Sequence, residues 1–185
     1  MHFLILCQSK KNPLTKLNKA YLLAGSNMEP RFELIKQAIS MVEDEAGRVM
    51  QLSSVYESEA WGFRADKKFL NQLILVETPL LPHELLARIL TIEEKLGRKR
   101  NMTERYQSRL IDIDILYFNN AIIDLPVLTI PHPRLHERRF AIVPLAEIAP
   151  QYVHPLLKKT NSELLASVED SLGVHIFKEK QKDEI

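Results

Sequence analysis

Residues 111–116, which read IDIDIL, constrain the fold of this chain more than any other segment. β-Branched residues at alternate positions favour a strand, and successive side chains of a strand point to opposite faces of its sheet. Asp112 and Asp114 therefore share one face, with Cα atoms about 6.5–7 Å apart, while the isoleucines face the core. The pattern predicts a half-buried strand that carries two adjacent carboxylates.

These two carboxylates need a cationic partner. Neighbouring carboxylates repel each other, and a half-buried strand solvates them poorly. Mg²⁺ suits the pair because it binds through one or two protein carboxylates and completes its coordination with water and substrate phosphate. The alternative is an edge strand whose aspartates face water or nearby arginines. Spacing alone leaves both interpretations open.

The segment directly before the aspartates is strongly basic. Residues 97–109, which read GRKRNMTERYQSR, carry five cationic side chains and one anionic one. Arginine donates hydrogen bonds in pairs and keeps its charge at any working pH, which suits it to phosphate oxygens. Metal on the carboxylates with guanidinium groups opposite would neutralise a polyphosphate. A solvated basic loop is the simpler alternative. The phosphate site is favoured because the basic segment directly precedes the aspartates in the sequence.

Glycine-rich phosphate loops do not account for nucleotide binding in this sequence. The chain has five glycines, and none forms a Walker pattern or a dinucleotide fingerprint. Protein-kinase signatures are absent as well. We therefore expect side chains to hold any bound nucleotide.

Size and composition predict one domain that acts on small molecules. The 185 residues suit a single packed domain at 19–178, with a loose extension at 1–18 and a frayed tail at 179–185. A net charge of +1 argues against a nucleic-acid coat. The single Cys7 suits the cytoplasm, and no run reaches membrane-spanning length or forms a signal peptide. We expect a cytoplasmic monomer or weak homo-oligomer that binds neither nucleic acid nor membrane.

Hydrophobic periodicity predicts the order of the elements. The order is a strand at 19–24, a helix that starts at Ser26-Asn27 with Pro30 in its first turn and ends before Gly47, strands at 49–56 and 69–76, a helix at 82–96, and the aspartate strand. This order is typical of a ferredoxin-like α+β fold, a βαββαβ core whose four-stranded antiparallel sheet has helices on one face.

The remaining sequence predicts a loop-rich C-terminal extension with six prolines. Asn119-Asn120 is expected to turn the chain into a short hairpin strand at 121–123. A helix near 162–171 and a strand at 174–177 follow.

Two segments look like ligand loops because packing does not explain their composition. They are residues 56–63 and 130–140, and the second sets His132 and Arg138 among prolines that stiffen the backbone. A lone histidine is more often structural. Asn71 stands within an apolar strand, where a buried amide must find partners, and the edge of a heterocycle would supply them.

With these features in place, the chain resembles the 6-hydroxymethyl-7,8-dihydropterin pyrophosphokinase family of folate biosynthesis from about residue 20 to residue 177. The resemblance rests on several motifs that occur in order: Ala24-Gly25-Ser26-Asn27, Phe69-Leu70-Asn71, Gly97-Arg98, Arg109 ahead of the IDIDI run, Ile130-Pro131-His132, Arg138 and Phe140.

The resemblance implies an activity and its cofactors. The β,γ-diphosphate of ATP would pass to the hydroxymethyl oxygen of the pterin, which releases AMP. ATP would be the co-substrate, and two Mg²⁺ ions would bridge Asp112 and Asp114 to its triphosphate. Such a transfer needs charge neutralisation and in-line positioning more than a protein nucleophile, so no covalent enzyme intermediate is expected.

The resemblance also implies roles for individual residues. Arg98 and Arg109 would stabilise the transferred group. The nucleotide contacts would be Arg100, Arg105, His132 and Arg138. The pterin would lie between Phe69 and Phe140, with Asn71, Ser58 and Ala60 at its edge and Trp61 and Tyr106 over it.

Two other classes of protein fit parts of the pattern. Ferredoxin-like sheets also occur in RNA-binding modules, but the sequence shows no aromatic-rich strand motif of that kind, and paired carboxylates repel phosphate. A metal-dependent nucleotidyltransferase or phosphohydrolase would use the same ions, and only its products distinguish it.

Overall fold

A computed structural model describes residues 17–98 and 110–179 of the protein. The predicted extension at 1–18 and the tail at 179–185 therefore lie almost wholly outside the described residues, and so does the basic segment from 99 to 109.

The described elements confirm the predicted βαββαβ order and extend it. In chain order they are β1 (Asn18–Ser26), α1 (Arg31–Glu45), β2 (Arg48–Leu52), β3 (Tyr56–Ser58), β4 (Phe69–Thr78), α2 (Pro82–Lys95), β5 (Asp112–Phe118), β6 (Ile123–Leu125), β7 (Leu128–Ile130), a 3₁₀ turn (Leu135–Glu137), α3 (Arg139–Ile148), α4 (Asn161–Ser167) and β8 (Val174–Ile176).

The main sheet of the described residues is antiparallel, with strand order β5-β1-β4-β3-β8, and β2 pairs with a separate stretch of β4. The apolar β1 lies between β5 and β4. Its residue Gly25 is paired with Asp112 on one side and with Asn71 on the other. This register brings the aspartate strand and the Asn71 strand to opposite sides of one glycine.

Each face of the sheet buries its own apolar cluster. Ile111, Ile113 and Ile115 belong to the cluster that includes residues of α1 and α2, which confirms the predicted core face of the aspartate strand. The opposite face packs Leu73 and Leu116 against residues of α3 and α4. The two core helices, α1 and α2, therefore share one face of the sheet, as predicted, and the helices of the C-terminal extension, α3 and α4, cover the other face.

The missed helix is α3, which the sequence analysis assigned to a loop-rich extension. Proline removes a helical hydrogen bond and clashes with the preceding turn, so Pro144 weighed against a helix there. The structure tolerates Pro144 inside α3 because Ala141, Ile142 and Leu145 are buried against the sheet. Hydrophobic burial outweighs the lost bond.

Two predicted strands also differ from the structure. The strand predicted at 49–56 is divided into β2 and β3, although Ser53 between them still bonds to Leu73 through both its N–H and its Oγ. The strand predicted to form a hairpin at 121–123 instead begins at Ile123 and pairs with β7. Asn119 ends β5 by bonding back to Lys19, so the turn that follows it does not return along β5.

Helix ends follow local chemistry. Helix α1 begins at Arg31, later than predicted, because Pro30 has φ −88° and ψ 87° and stays outside the helix. Helix α2 was predicted closely. Its Glu84 side chain accepts a hydrogen bond from the N–H of Leu81, and Gly97 follows its end with φ +89°.

Candidate active site

Asp112 and Asp114 lie on one face of β5, as their spacing predicted. Both border the same cavity, of about 330 Å³, while the isoleucines between and around them are buried on the other face. Their side chains are 22% and 36% exposed, respectively. The pair is thus half-buried and open to a ligand.

The cavity collects most of the residues that the sequence analysis selected. Its lining consists of Leu23, Gly25, Ser58, Glu59, Trp61, Phe63, Phe69, Asn71, Asp112, Asp114, His132, Arg138 and Phe140. Ala60 was selected as well, and it is not part of this lining. One wall is aromatic and carries an amide, whereas the opposite wall is ionic.

A second cavity of about 350 Å³ meets the first at the aspartates. It is lined by Leu86, Leu90, Glu93, Arg98, Asp112, Ile113, Asp114, Ile115, Pro126, Val127, Leu128, Thr129, His132 and Pro133. Asp112, Asp114 and His132 border both cavities. The acidic pair therefore stands where ligands in the two cavities would meet.

Asn71 is buried and held by one side-chain partner. It is 3% exposed, and its Nδ2 donates a hydrogen bond of 3.1 Å to Ser58 Oγ. Gly25 lies beside it on β1, and a Cβ atom at that position would come within 2.9 Å of Asn71 Oδ1. Sequence reasoning missed this role of Gly25, although a glycine inside a strand is a known sign of close approach.

Aromatic rings line the wall next to Asn71. Phe63 and Phe69 meet edge to face, with ring centroids 6.0 Å apart. The guanidinium of Arg138 lies 4.9 Å from the centroid of the Trp61 ring and 5.7 Å from that of Phe140. These contacts bring the aromatic wall to the ionic one.

Arg138 is a buried cation at the border of the acidic pair. Its Nη1 lies 4.0 Å from Asp114 Oδ2, and its buried Nε has no hydrogen-bond partner among the described residues. Burial lowers the pKa of Arg138, although Asp114 acts against this, and arginine stays charged at any working pH. A buried guanidinium with an unused N–H is suited to bind an anion.

Arg98 occupies the other side of the pair, between two carboxylates. Its Nη1 donates to Asp112 Oδ1 at 2.6 Å and also to Glu93. Burial acts to lower the pKa of Arg98, but Asp112 and Glu93 outweigh burial and raise it. In this structure Asp112 therefore faces an arginine, which is the alternative that the sequence left open for it.

Glu93 connects helix α2 to the aspartate strand. It is 1% exposed, and its Oε1 accepts a hydrogen bond of 2.8 Å from the N–H of Ile113. It was not among the site residues predicted from the sequence. The available signal was its position four residues after Ile89 on the buried stripe of α2, because a buried carboxylate requires partners.

His132 is held in its neutral form. Its backbone N–H donates to Leu116 O at 3.0 Å, and its Nδ1 accepts from the N–H of Arg134 at 3.3 Å. Burial, aided by the charge of Arg138, lowers the pKa of His132 to about 4. A neutral imidazole is therefore present beside the aspartates at neutral pH.

Four other selected residues, Arg100, Arg105, Tyr106 and Arg109, lie outside the described residues.

The fold and the site define a class of protein: an antiparallel α+β enzyme whose paired carboxylates and arginines stand between two ligand cavities, as transfer of a phosphoryl or diphosphoryl group requires. Residues 21–150 match the family model of 7,8-dihydro-6-hydroxymethylpterin-pyrophosphokinase (HPPK). The chain belongs to this family.

Named relatives agree with the family match. The chain is 41% identical over 143 residues to the 2-amino-4-hydroxy-6-hydroxymethyldihydropteridine pyrophosphokinase of Aquifex aeolicus, which covers 77% of this chain and 88% of that protein. It is 37% identical over 164 residues to the Bacillus subtilis enzyme of the same name, covering 88% and 92%, respectively.

Solved structures confirm the fold. A crystal structure of Plasmodium falciparum HPPK-DHPS with pterin and p-hydrobenzoate aligns with a TM-score of 0.65 at 19% identity. The alignment covers 82% of this chain and 44% of that one, so the chain spans less than half the length of this structural relative.

Proposed function

We propose that this chain transfers the β,γ-diphosphate of ATP to the hydroxymethyl group of 6-hydroxymethyl-7,8-dihydropterin in folate biosynthesis, which yields AMP and the pterin diphosphate. Family membership supports this activity. The structural observation that supports it is the position of Asp112 and Asp114 where the two cavities meet. A two-substrate transfer needs its donor and acceptor to meet at such a point.

The pterin occupies the aromatic cavity in this proposal. Phe69 and Phe140 provide apolar faces for a flat ring, and Trp61 covers it. The Asn71 amide, with Ser58 and the backbone near Ala60, binds the polar edge of the heterocycle. Asn71 fits this role because it is buried with an amide that offers two donors and one acceptor.

ATP occupies the second cavity, with its phosphates toward the aspartates. Apolar residues such as Leu86 and Val127 provide a surface for a base, and Arg98 and His132 border the end near Asp112. Arg138 contacts the phosphates through the N–H that has no partner among the described residues. Arg100, Arg105, Tyr106 and Arg109 would complete the site from outside the described residues.

Asp112 and Asp114 suit two Mg²⁺ ions. They offer hard oxygen ligands on one face, and the described residues hold no group of three or more His, Cys, Asp and Glu side chains placed to bind an ion. Mg²⁺ suits this donor set because it relies on water and phosphate for its remaining ligands. Bound magnesium would neutralise the triphosphate and acidify the attacking hydroxyl.

The transfer itself is a single displacement. The hydroxymethyl oxygen forms a bond to the β-phosphorus of ATP, and the bond from that phosphorus to the oxygen bridging it to the α-phosphorus breaks. AMP leaves with the bridging oxygen, and the proton of the hydroxymethyl group is released to water. Arg98 and Arg109 stabilise the charge that develops on the transferred group. Glu93 keeps Arg98 anchored when the carboxylate of Asp112 binds a cation.

One observation bears on the RNA-binding alternative. Helices cover both faces of the main sheet in the described residues, so the open aromatic surface that ferredoxin-like modules use to stack RNA bases is not offered there.

No helix in the described residues combines the length and hydropathy needed to span a bilayer. We further propose that the protein acts on small molecules, which its family membership supports. We also propose that it works in the cytoplasm as a monomer or weak homo-oligomer.

Product analysis tests the proposed reaction. The chain is incubated with ATP, Mg²⁺ and 6-hydroxymethyl-7,8-dihydropterin, and the products are separated by chromatography. We expect AMP and the pterin diphosphate in equal amounts, whereas ADP or inorganic diphosphate as the product would contradict the proposal. Asp112→Asn is expected to abolish the reaction, and the matched control Asp124→Asn, on the exposed side of β6, is expected to retain it.

A further inference from the structure

Arg31 joins the two ends of the loop that carries Trp61 and Phe63, and none of the roles above uses it. We call its contacts with Glu57 and Lys68 the bracket. Arg31 Nη2 lies 2.8 Å from Glu57 Oε1, and Arg31 Nη1 donates to the carbonyl oxygen of Lys68 at 2.8 Å. Glu57 precedes the loop on β3, and Lys68 ends the loop just before β4. One guanidinium therefore binds both ends of the loop.

The bracket is built into the fold. The Arg31 side chain is 18% exposed, and its guanidinium lies 5.7 Å from the centroid of the Phe177 ring. Its third nitrogen, Nε, faces Glu29 at 3.4 Å. A charge-assisted hydrogen bond to a carboxylate and a second to a carbonyl fix a planar guanidinium in one orientation.

The bracket adds to a hairpin that is otherwise short. β3 has three residues, and the pairing of Ser58 with Phe69 is its last step before the loop. Beyond it, an exposed ion pair of 3.2 Å joins Lys68 to Glu59, and such pairs add little. Arg31 is thus the better buried of the two ionic contacts that close the loop.

The position of the bracket matters for the cavity. Four residues that line the aromatic cavity lie on or directly beside the segment that Arg31 holds: Ser58, Trp61, Phe63 and Phe69. A loop that is ordered before a ligand arrives loses less conformational entropy on binding than a mobile one. If the bracket is lost, the entropy cost of ordering the loop is added to the free energy of ligand binding, and the affinity falls.

We infer that Arg31 is a positioning residue for the pterin: its bracket on Glu57 and Lys68 preorganises the aromatic loop and sets the affinity for the pterin without contacting it. This inference rests on the proposed function, since it assigns the pterin to the aromatic cavity. It assigns ATP binding and the chemical step to other residues.

Arg31→Ala tests the inference through kinetics. The loss of one charge-assisted contact shifts an equilibrium by roughly tenfold, so KM for the pterin is expected to rise by about that factor. KM for ATP and kcat at saturating pterin are expected to stay within about twofold. Arg88→Ala is the matched control, because it also removes an arginine from an ion pair. Arg88 lies on α2, and its Nη1 is 3.7 Å from Oε2 of Glu45 on α1.

Trp61 provides a second readout that needs no ligand. It is the single tryptophan of the chain, so its fluorescence reports on this loop alone. Arg31→Ala is expected to make Trp61 more accessible to acrylamide quenching, while Arg88→Ala leaves it unchanged. Unchanged quenching together with an unchanged pterin KM would overturn the inference.

Two milder variants carry the test if Arg31→Ala does not fold. Arg31→Lys keeps the charge near Glu57 but lacks the fork that reaches Lys68 O as well, and Glu57→Gln removes the opposite charge. Each is expected to show a smaller change in the same direction, and wild-type behaviour in both would overturn the inference. A wild-type chain that binds ATP but no pterin would refute the proposed function instead, and the quenching result would still decide whether Arg31 orders the loop.

Discussion

Substitution of Gly25 by alanine is predicted to weaken pterin binding through Asn71. The new Cβ would lie 2.9 Å from Asn71 Oδ1, and non-bonded heavy atoms prefer about 3.5 Å or more. Because the next contact, Leu70 O, is 3.8 Å away, the amide is the group that must move, by about 0.6 Å.

That displacement acts on a buried hydrogen bond. Asn71 Nδ2 lies 3.1 Å from Ser58 Oγ, which is already near the long end of the normal range. The displaced amide also loses one hydrogen bond to the edge of the pterin, which costs roughly 1–2 kcal/mol of binding free energy. At 1.4 kcal/mol for each factor of ten, the Kd for the pterin is expected to rise about 5- to 30-fold.

Calorimetric titration measures this effect with pterin and, separately, with a non-hydrolysable ATP analogue. ATP affinity is expected to be unchanged, because Gly25 borders only the aromatic cavity. A double-mutant cycle supplies the control, since Asn71→Ala removes the clash and Gly25→Ala should then have little further effect. If Gly25→Ala weakens pterin binding equally in the wild type and in Asn71→Ala, its effect does not come from a contact with Asn71 Oδ1, and the prediction is wrong.

Three further predictions concern the ionic wall and the C-terminal region. Asp114→Ala is expected to abolish Mg²⁺-dependent turnover while the fold is retained, because it removes half of the carboxylate pair. Glu93→Gln keeps an acceptor for the N–H of Ile113 but leaves Asp112 as the one charged partner of Arg98 among the described residues. Arg98 then competes more strongly with Mg²⁺ for Asp112, so turnover is expected to need about tenfold more Mg²⁺. His154, whose pKa burial lowers to about 4, is expected to contribute roughly 3 kcal/mol of stability above pH 6.5 that is lost as the pH falls toward 4.

The sign of the last prediction follows from proton uptake. The unfolded chain binds a proton at His154 near its ordinary pKa of 6.5, while the folded chain stays neutral until about pH 4, so acid favours unfolding. His154 Nδ1 accepts from the N–H groups of Leu156 and Leu157, and Asn at this position would keep such acceptors without titrating. Urea denaturation of His154→Asn should therefore show a weaker pH dependence than that of the wild type, and His83→Asn, at an exposed position of α2, serves as the control.

Each of the other two predictions has a result that would contradict it. An Asp114→Ala protein that turns over normally with Mg²⁺ would show that the carboxylate pair does not hold the ion. A Glu93→Gln protein with an unchanged Mg²⁺ requirement would show that Arg98 does not compete with metal for Asp112. Circular dichroism of each variant checks that the fold is intact.

Local periodicity was sufficient to predict the elements that build the site. Alternation of isoleucine with aspartate predicted both the strand and its two faces, because side chains in a strand alternate whatever the strand pairs with. Helix α2 was predicted closely because a proline begins it, Gly97 follows it, and apolar residues recur between them at helical spacing. In both cases the signal is contained in consecutive residues.

The features that sequence reasoning missed depend on partners far along the chain. A glycine inside a strand and a glutamate on a buried helical stripe are signals in the sequence, but they do not name the partners: Asn71 lies opposite Gly25, and Ile113 and Arg98 surround Glu93. Helix α3 was missed because Pro144 acts locally, whereas the burial that offsets it comes from the sheet. Strand β6 was predicted at the wrong position because the Asn119-Asn120 turn signal does not specify which strand pairs with the one that follows it; β6 pairs with β7.

A crystal structure with Mn²⁺ in place of Mg²⁺, a non-hydrolysable ATP analogue and the pterin would show whether Asp112 and Asp114 hold the metal. Anomalous scattering locates the metal without relying on its coordination. We expect Mn²⁺ bound to the carboxylates of Asp112 and Asp114, with the triphosphate beside it and Arg98 moved from Asp112 toward phosphate. Metal-free aspartates, with Arg98 still paired to Asp112 in the presence of both ligands, would contradict it.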